Sequence, residues 1–120
     1  MKKALVHYLD KSSPIDCPFG QVRRVVTGGE GGVANVHVVC VTKGTTHYHK
    51  AYDEVYYVLS GQGQLVVENE TYELRSGAVA VIPAGALHSL EAEGGAPLEF
   101  IIFGVPAVSV ADESAKPRKP

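Results

Sequence analysis

Residues 44–61, GTTHYHKAYDEVYYVLSG, decide how the rest of the chain is read. His47 and His49 stand one residue apart, so on an extended backbone both imidazoles point to the same side, because strand side chains alternate with period two. Glu54 follows His49 at an odd spacing that would put it on the opposite face of one unbroken strand. Residues 50–53 must therefore turn the chain, and a hairpin is the expected form.

Further on, residues 77–88 read GAVAVIPAGALH: an apolar β-branched run, a Pro and a Gly that force a turn, and then a third histidine. His47, His49, Glu54 and His88 together offer three imidazoles and one carboxylate. Borderline nitrogen donors with one hard oxygen suit a divalent ion such as iron, manganese, nickel, zinc or copper. An octahedral ion with these four ligands keeps two positions open for a substrate, whereas zinc is more often satisfied by four ligands.

Both stretches also carry a family pattern. His47, His49, Glu54 and Gly61 form His-x-His, four residues, Glu, six residues, Gly, and this resembles the first cupin motif. Gly77, Pro83, Gly85 and His88 form Gly, five residues, Pro-x-Gly, two residues, His, and this resembles the second. One departure is Ala92, where cupins often carry Asn; that position is not a metal ligand in the family. The resemblance implies an all-β, double-stranded β-helix (jelly-roll) barrel with a mononuclear metal site. It also implies a small polar substrate, turned over by a dioxygenase, a sugar isomerase or epimerase, or a decarboxylase. Cupins also serve as non-catalytic sensor or storage modules, which is the alternative reading.

The pattern outside the motifs agrees with that fold. Strand-like runs recur at 21–27, 33–42, 54–59, 63–68, 70–74, 79–82, 88–92 and 98–103, separated by Gly-rich connections and without a helical period. Glu68, Asn69 and Glu70 read as a tight hairpin turn. One decoy lies at Gly29, Gly31 and Ala34, with Asp53 about twenty residues on, which matches a dinucleotide-binding fingerprint. That fingerprint must open a helix, and VANVHVVCVT, at 33–42, is rich in β-branched residues with poor helix preference.

With 120 residues, 45% hydrophobic and 20% charged, the chain makes one domain. The expected division is an arm at 1–20, a barrel at 21–106 and a flexible tail at 107–120 that ends in KPRKP. A net charge of −2 gives no electrostatic case for a nucleic-acid or anionic-membrane partner. No apolar run spans a membrane and the first residues do not form a signal peptide, so a cytoplasmic protein is expected. That setting also devalues the glycosylation sequon at Asn69, Glu70 and Thr71. Cys17 and Cys40 have no CxxC spacing and read as reduced thiols. The arm's apolar run at 4–9 and the exposed edges of a small barrel point to a homodimer.

Two further residues are candidates for moving protons beside the ion. Tyr56 lies two residues beyond Glu54 and shares its inward face on a regular strand. His37 sits within a strand and faces either the cavity or the outside, where it would be a packed or hydrogen-bonded histidine. Tyr48 should point away from the metal, His7 lies in the arm, and Phe100, Ile102 and Phe103 read as core.

Overall fold

The computed structural model describes residues 3–17, 20–28 and 32–108. Apart from a 3-10 turn at Leu9–Lys11, the described elements are all strands: β1 (Ile15–Cys17), β2 (Gly20–Val26), β3 (Asn35–Val41), β4 (Asp53–Ser60), β5 (Gln62–Val67), β6 (Glu70–Arg75), β7 (Val79–Ile82), β8 (His88–Ala92) and β9 (Leu98–Val105). They form two antiparallel sheets, ordered β1-β2-β3-β9-β4-β7 and β6-β5-β8, the jelly roll that the family resemblance implies. The sheets stay separate instead of closing into one barrel.

Alternation explains why these segments are strands. In β3 and β9 every second residue is buried, Asn35, His37, Val39 and Val41 on one and Leu98, Phe100, Ile102 and Gly104 on the other. β-branched and aromatic side chains suit such a pleated, half-buried surface, and burying each large one is worth about 1.5–3 kcal/mol. Register then sorts the inner face into rows. Ile82, Glu54, Gly104 and Asn35 lie level, next come Ala80, Tyr56, Ile102, His37 and Arg24, and then Val58, Phe100, Val39 and Val22. The first two rows hold all the polar groups of this face, and the deeper ones are apolar. The core joins those deeper rows to Leu65, Leu74 and Leu90 of the small sheet and takes in Ile82, Ile102 and Tyr56 from the first two rows. Tyr56 joins the two regions, its ring 4.7 Å from that of Phe100.

Two glycines are required by their neighbours. Gly61, between β4 and β5, has φ +85°, and a Cβ there would come 2.5 Å from the Pro97 carbonyl oxygen. Gly104 lies beneath Tyr52, whose Cδ2 would be 3.2 Å from an added Cβ. Its missing side chain makes room for a tyrosine at the polar end of the cavity.

The arm adds a short strand to the large sheet. Residues 3–8 form no strand. Residues 15–17 pair with the edge of β2, Ile15 opposite Val22 and Asp16 opposite Gln21. At the other end, the Gly28 N–H donates to the Val108 carbonyl at 3.0 Å, and the Val108 N–H donates to Asn35 Oδ1 at 3.3 Å. The KPRKP end, together with Gly29 and Gly31, lies outside the described residues. The residues after Ala34 form β3, so the helix a dinucleotide fingerprint requires is replaced by a strand. Cys40 is a free, exposed thiol.

Candidate metal centre

The histidine pair sits where the chain changes sheets. After β3 the backbone leaves the large sheet and runs antiparallel beside β8, with bridges joining Lys43 to Glu91 and His47 to His88. His47 and His88 exchange both backbone hydrogen bonds, at 3.0 and 2.9 Å, and the Gly44 N–H donates to the Leu90 carbonyl at 3.0 Å. The chain then crosses back to enter β4, which pairs with β7 and β9. The expected hairpin is thus a crossover: His47 and His49 flank the small sheet while Glu54 belongs to the large one. Because β4 finds its partners elsewhere, the odd spacing is resolved by changing sheets.

That crossover brings the four residues together. Ligand atoms of His47, His49 and His88 all lie within 4.8 Å of one another, and all three residues are buried, so they could hold a metal ion. Glu54, the only buried carboxylate among the described residues, closes the group from the opposite sheet. Its Oε2 lies 3.4 Å from His49 Nε2 and its Oε1 lies 3.3 Å from His88 Nε2.

Hydrogen bonding fixes which nitrogen each ring offers. His47 Nδ1 lies 3.0 Å from the Thr45 carbonyl oxygen and His88 Nδ1 lies 2.9 Å from that of Ala86. A carbonyl oxygen only accepts, so both Nδ1 atoms carry the proton and both Nε2 atoms present lone pairs. His49 Nδ1 lies 2.9 Å from the Tyr52 hydroxyl, which accepts from it when Nε2 carries the lone pair, and the two rings stack at 4.8 Å. Three lone pairs and a carboxylate therefore converge in a buried space, and such a set of mutually repelling acceptors is satisfied by a cation. The donor types fit a divalent transition ion.

The two candidate proton carriers both face inward. Tyr56, fully buried, donates its hydroxyl to Glu54 Oε1 at 3.3 Å. His37 faces the cavity, in the same row as Tyr56 with Ile102 between them. Tyr48, by contrast, is only half-buried between its two buried neighbours.

The loop carrying His88 is held from both sheets. Asp53 Oδ1 accepts from the Ala84 N–H at 2.8 Å, the His49 carbonyl accepts from the Gly85 N–H at 2.7 Å, and Glu68 Oε2 accepts from the Leu87 N–H at 2.7 Å. Glu68 also donates its own N–H to the Leu87 carbonyl at 2.8 Å, and it adopts φ +55°, a strained conformation for a residue with a side chain. None of the three was assigned to the site from sequence: Tyr52 carried no signal, Asp53 figured only in the dinucleotide decoy and Glu68 only in a hairpin turn. The one available signal was a glutamate in a two-residue hairpin loop, where glycine or asparagine is favoured. Beside the centre the sheets part between β6 and β7, leaving a cleft of about 450 Å³ walled by Leu65, Val67, Leu74, Ala78, Ala80 and Pro83. At its rim the Glu70 charge, 3.3 Å from the Tyr72 hydroxyl, pushes that phenol's pKa up.

Comparison with known proteins agrees with this architecture. The model of the cupin domain family matches residues 36–104. The uncharacterized protein MJ1618 of Methanocaldococcus jannaschii is 28% identical over 109 residues, covering 86% of this chain and 87% of its own. Among solved structures, ectoine synthase from P. lautus superposes with a TM-score of 0.80 at 20% identity, over 92% of this chain and 84% of that one. The nucleoside dehydratase Pac13 superposes with a TM-score of 0.73 at 19% identity, over 96% of this chain and 99% of that one. At these identities the two structures speak for the fold alone.

Tyr52→Phe removes the hydroxyl that orients His49 while keeping the stacked ring. The variant is expected to fold normally and to bind a divalent ion about 10–100-fold more weakly by competition titration. Unchanged affinity would contradict an orienting role for Tyr52.

Proposed function

The chain belongs to the cupin family, and on that premise we propose that it is a mononuclear metalloenzyme acting on a small polar molecule, its divalent ion held by His47, His49, His88 and Glu54. The observation that carries this reading is the convergence of three buried imidazoles and the buried Glu54 carboxylate on one space. An iron, manganese, nickel or zinc ion held there would supply Lewis acidity to a substrate oxygen.

The residues around the ion favour proton movement within this family's range of chemistries. Tyr56 is a buried phenol in hydrogen-bond contact with Glu54, placed to hold a proton at Oη or hand it to a substrate oxygen or carbon. His37, one strand beyond Ile102, supplies a second ionisable group on the same row. Two such groups beside a Lewis acid suit an isomerase or epimerase better than a dioxygenase, whose chemistry needs no proton shuttle from the protein. A dehydratase among the solved structures of this fold is a precedent for proton chemistry on it.

Elemental analysis of protein purified without added metal or chelator is expected to find close to one transition ion per chain. The ion should be lost in His47→Ala and His88→Ala. Because ligand imidazoles must be neutral, it should also be released as pH falls below about 6. Full retention at pH 4, or in both variants, would reject the ligand assignment.

The same chain is proposed to form a homodimer through the outer face of the six-stranded sheet. That face leaves Val79, Val81, Tyr57 and Leu59 exposed toward its β7 end, while the arm, which lies over Arg23, Val38 and Cys40 at the other end, exposes Leu5, Val6 and Tyr8. A twofold axis through the middle of the sheet would set each group against the other's counterpart. The face measures roughly 500 Å² from strand spacing and rise, and two exchanged arms bring it near the roughly 800 Å² per partner of an ordinary stable interface. Light scattering at micromolar concentration should give twice the chain mass for the wild type and the single mass for Val79→Lys/Val81→Lys. A monomeric wild type would contradict the dimer.

A further inference from the structure

We infer that the cleft between β6 and β7 is a binding site for a small amine with an apolar body, an aromatic ring or a short branched chain that carries an ammonium group. None of the described residues lining this cleft is a candidate metal ligand, so the inference stands apart from the metal-site reading above.

The cleft exists because two sheet edges face each other. β6 ends the small sheet and β7 ends the large one, and a tight turn joins them, where the Ala78 N–H donates to the Arg75 carbonyl at 2.9 Å. Register puts Leu74, Tyr72 and Glu70 of β6 on the inner face, level respectively with Gly63, with Leu65 and Leu90, and with Val67 and His88. Burial along that face falls away from the turn. Leu74 is 3% exposed, whereas Tyr72, two residues before it, is 47% exposed although Leu65 and Leu90 of its own row are at 2%. Its ring is thus an inner-face aromatic that the large sheet leaves uncovered. On the other wall β7 presents Ala78 and Ala80, whose short side chains leave the space open.

Volume and chemistry then select the occupant. At about 450 Å³ the cleft is in the range of small-molecule pockets. Its walls of Leu, Val, Ala and Pro side chains take an apolar body. Glu73 lines it from β6, and Glu70, whose Oε2 accepts from the Tyr72 hydroxyl at 3.3 Å, stands at the same rim. Among the described residues that line the cleft there is no cation. The Glu70 charge is felt at the rim, where it pushes the Tyr72 pKa up and so keeps the phenol neutral. An ammonium group there meets two carboxylates and the face of an aromatic ring, all attractive to a cation. A carboxylate of the same shape meets two like charges. An apolar interior with an acidic, aromatic rim therefore fits a molecule that is apolar at one end and cationic at the other.

The test is a magnetic-resonance titration of the isotopically labelled full chain with phenethylamine, hydrocinnamate and ethylamine, in dilute buffer where exposed charges are least screened. Phenethylamine should move the backbone signals of Leu65, Val67, Tyr72 and Ala80 and bind about fivefold or more tightly than hydrocinnamate, its anionic counterpart. Ethylamine, which lacks the ring, should leave those signals in place. Glu70→Gln with Glu73→Gln should bring amine and acid to within about twofold of each other. Ala80→Leu, which fills the cleft, should weaken phenethylamine about tenfold, and Tyr72→Ala, at an exposed position, checks the same loss if the larger side chain disturbs the fold. Shifts confined to other surfaces, no shift at millimolar amine, equal binding of the acid, or a preference that survives the double variant would overturn the site.

Discussion

Three imidazole nitrogens and a carboxylate aimed at one buried space repel one another, and that repulsion is the constraint on which this molecule turns. Lone pairs buried without a compensating positive charge cost several kcal/mol, so the fold must hold these groups in place from outside the cluster. It does so with elements of both sheets. His88 opens β8 and is bonded through its backbone to His47, while Glu54 comes from β4 across the cavity. Asp53, Glu68 and the His49 carbonyl tie down the loop between β7 and β8. The positive φ of Glu68 is one cost of that arrangement, held by its two hydrogen bonds to Leu87.

The same constraint explains the division of the interior. Rows built from Val58, Phe100, Val39 and Val22 and from Leu98 and Val41 are apolar and supply the cohesion that keeps the sheets together. Rows holding Glu54 and Asn35, and Tyr56, His37 and Arg24, gather the polar groups at one end. Tyr56 stands at the boundary, with its ring against Phe100 and its hydroxyl on Glu54.

How much of this was legible in the sequence follows from how local each signal is. Strand positions were readable because alternation and Gly-rich turns are local, and β7 and β8 fall on the residues expected. The site histidines were readable because their spacing and turn residues occur together in two short stretches. The crossover at 44–52 was not, since an odd spacing reports only that the chain turns, and the partners of β4 are far away in sequence. Tyr52, Asp53 and Glu68 act through contacts made only once the sheets face each other. The direction of His37 was open for the same reason: the parity of β3 has meaning only relative to β9 and β2. Ile15–Cys17 was missed because its pairing comes from the free edge of β2 and not from any pattern of its own.

X-ray absorption on the protein loaded with one equivalent of Ni(II) tests the central claim most directly, because it reads the ligands themselves. The account predicts outer-shell scattering from the three imidazoles of His47, His49 and His88 with nitrogen and oxygen nearest neighbours, and one imidazole fewer in His88→Ala. Scattering without imidazole, or unchanged in that variant, would place the ion elsewhere and contradict it.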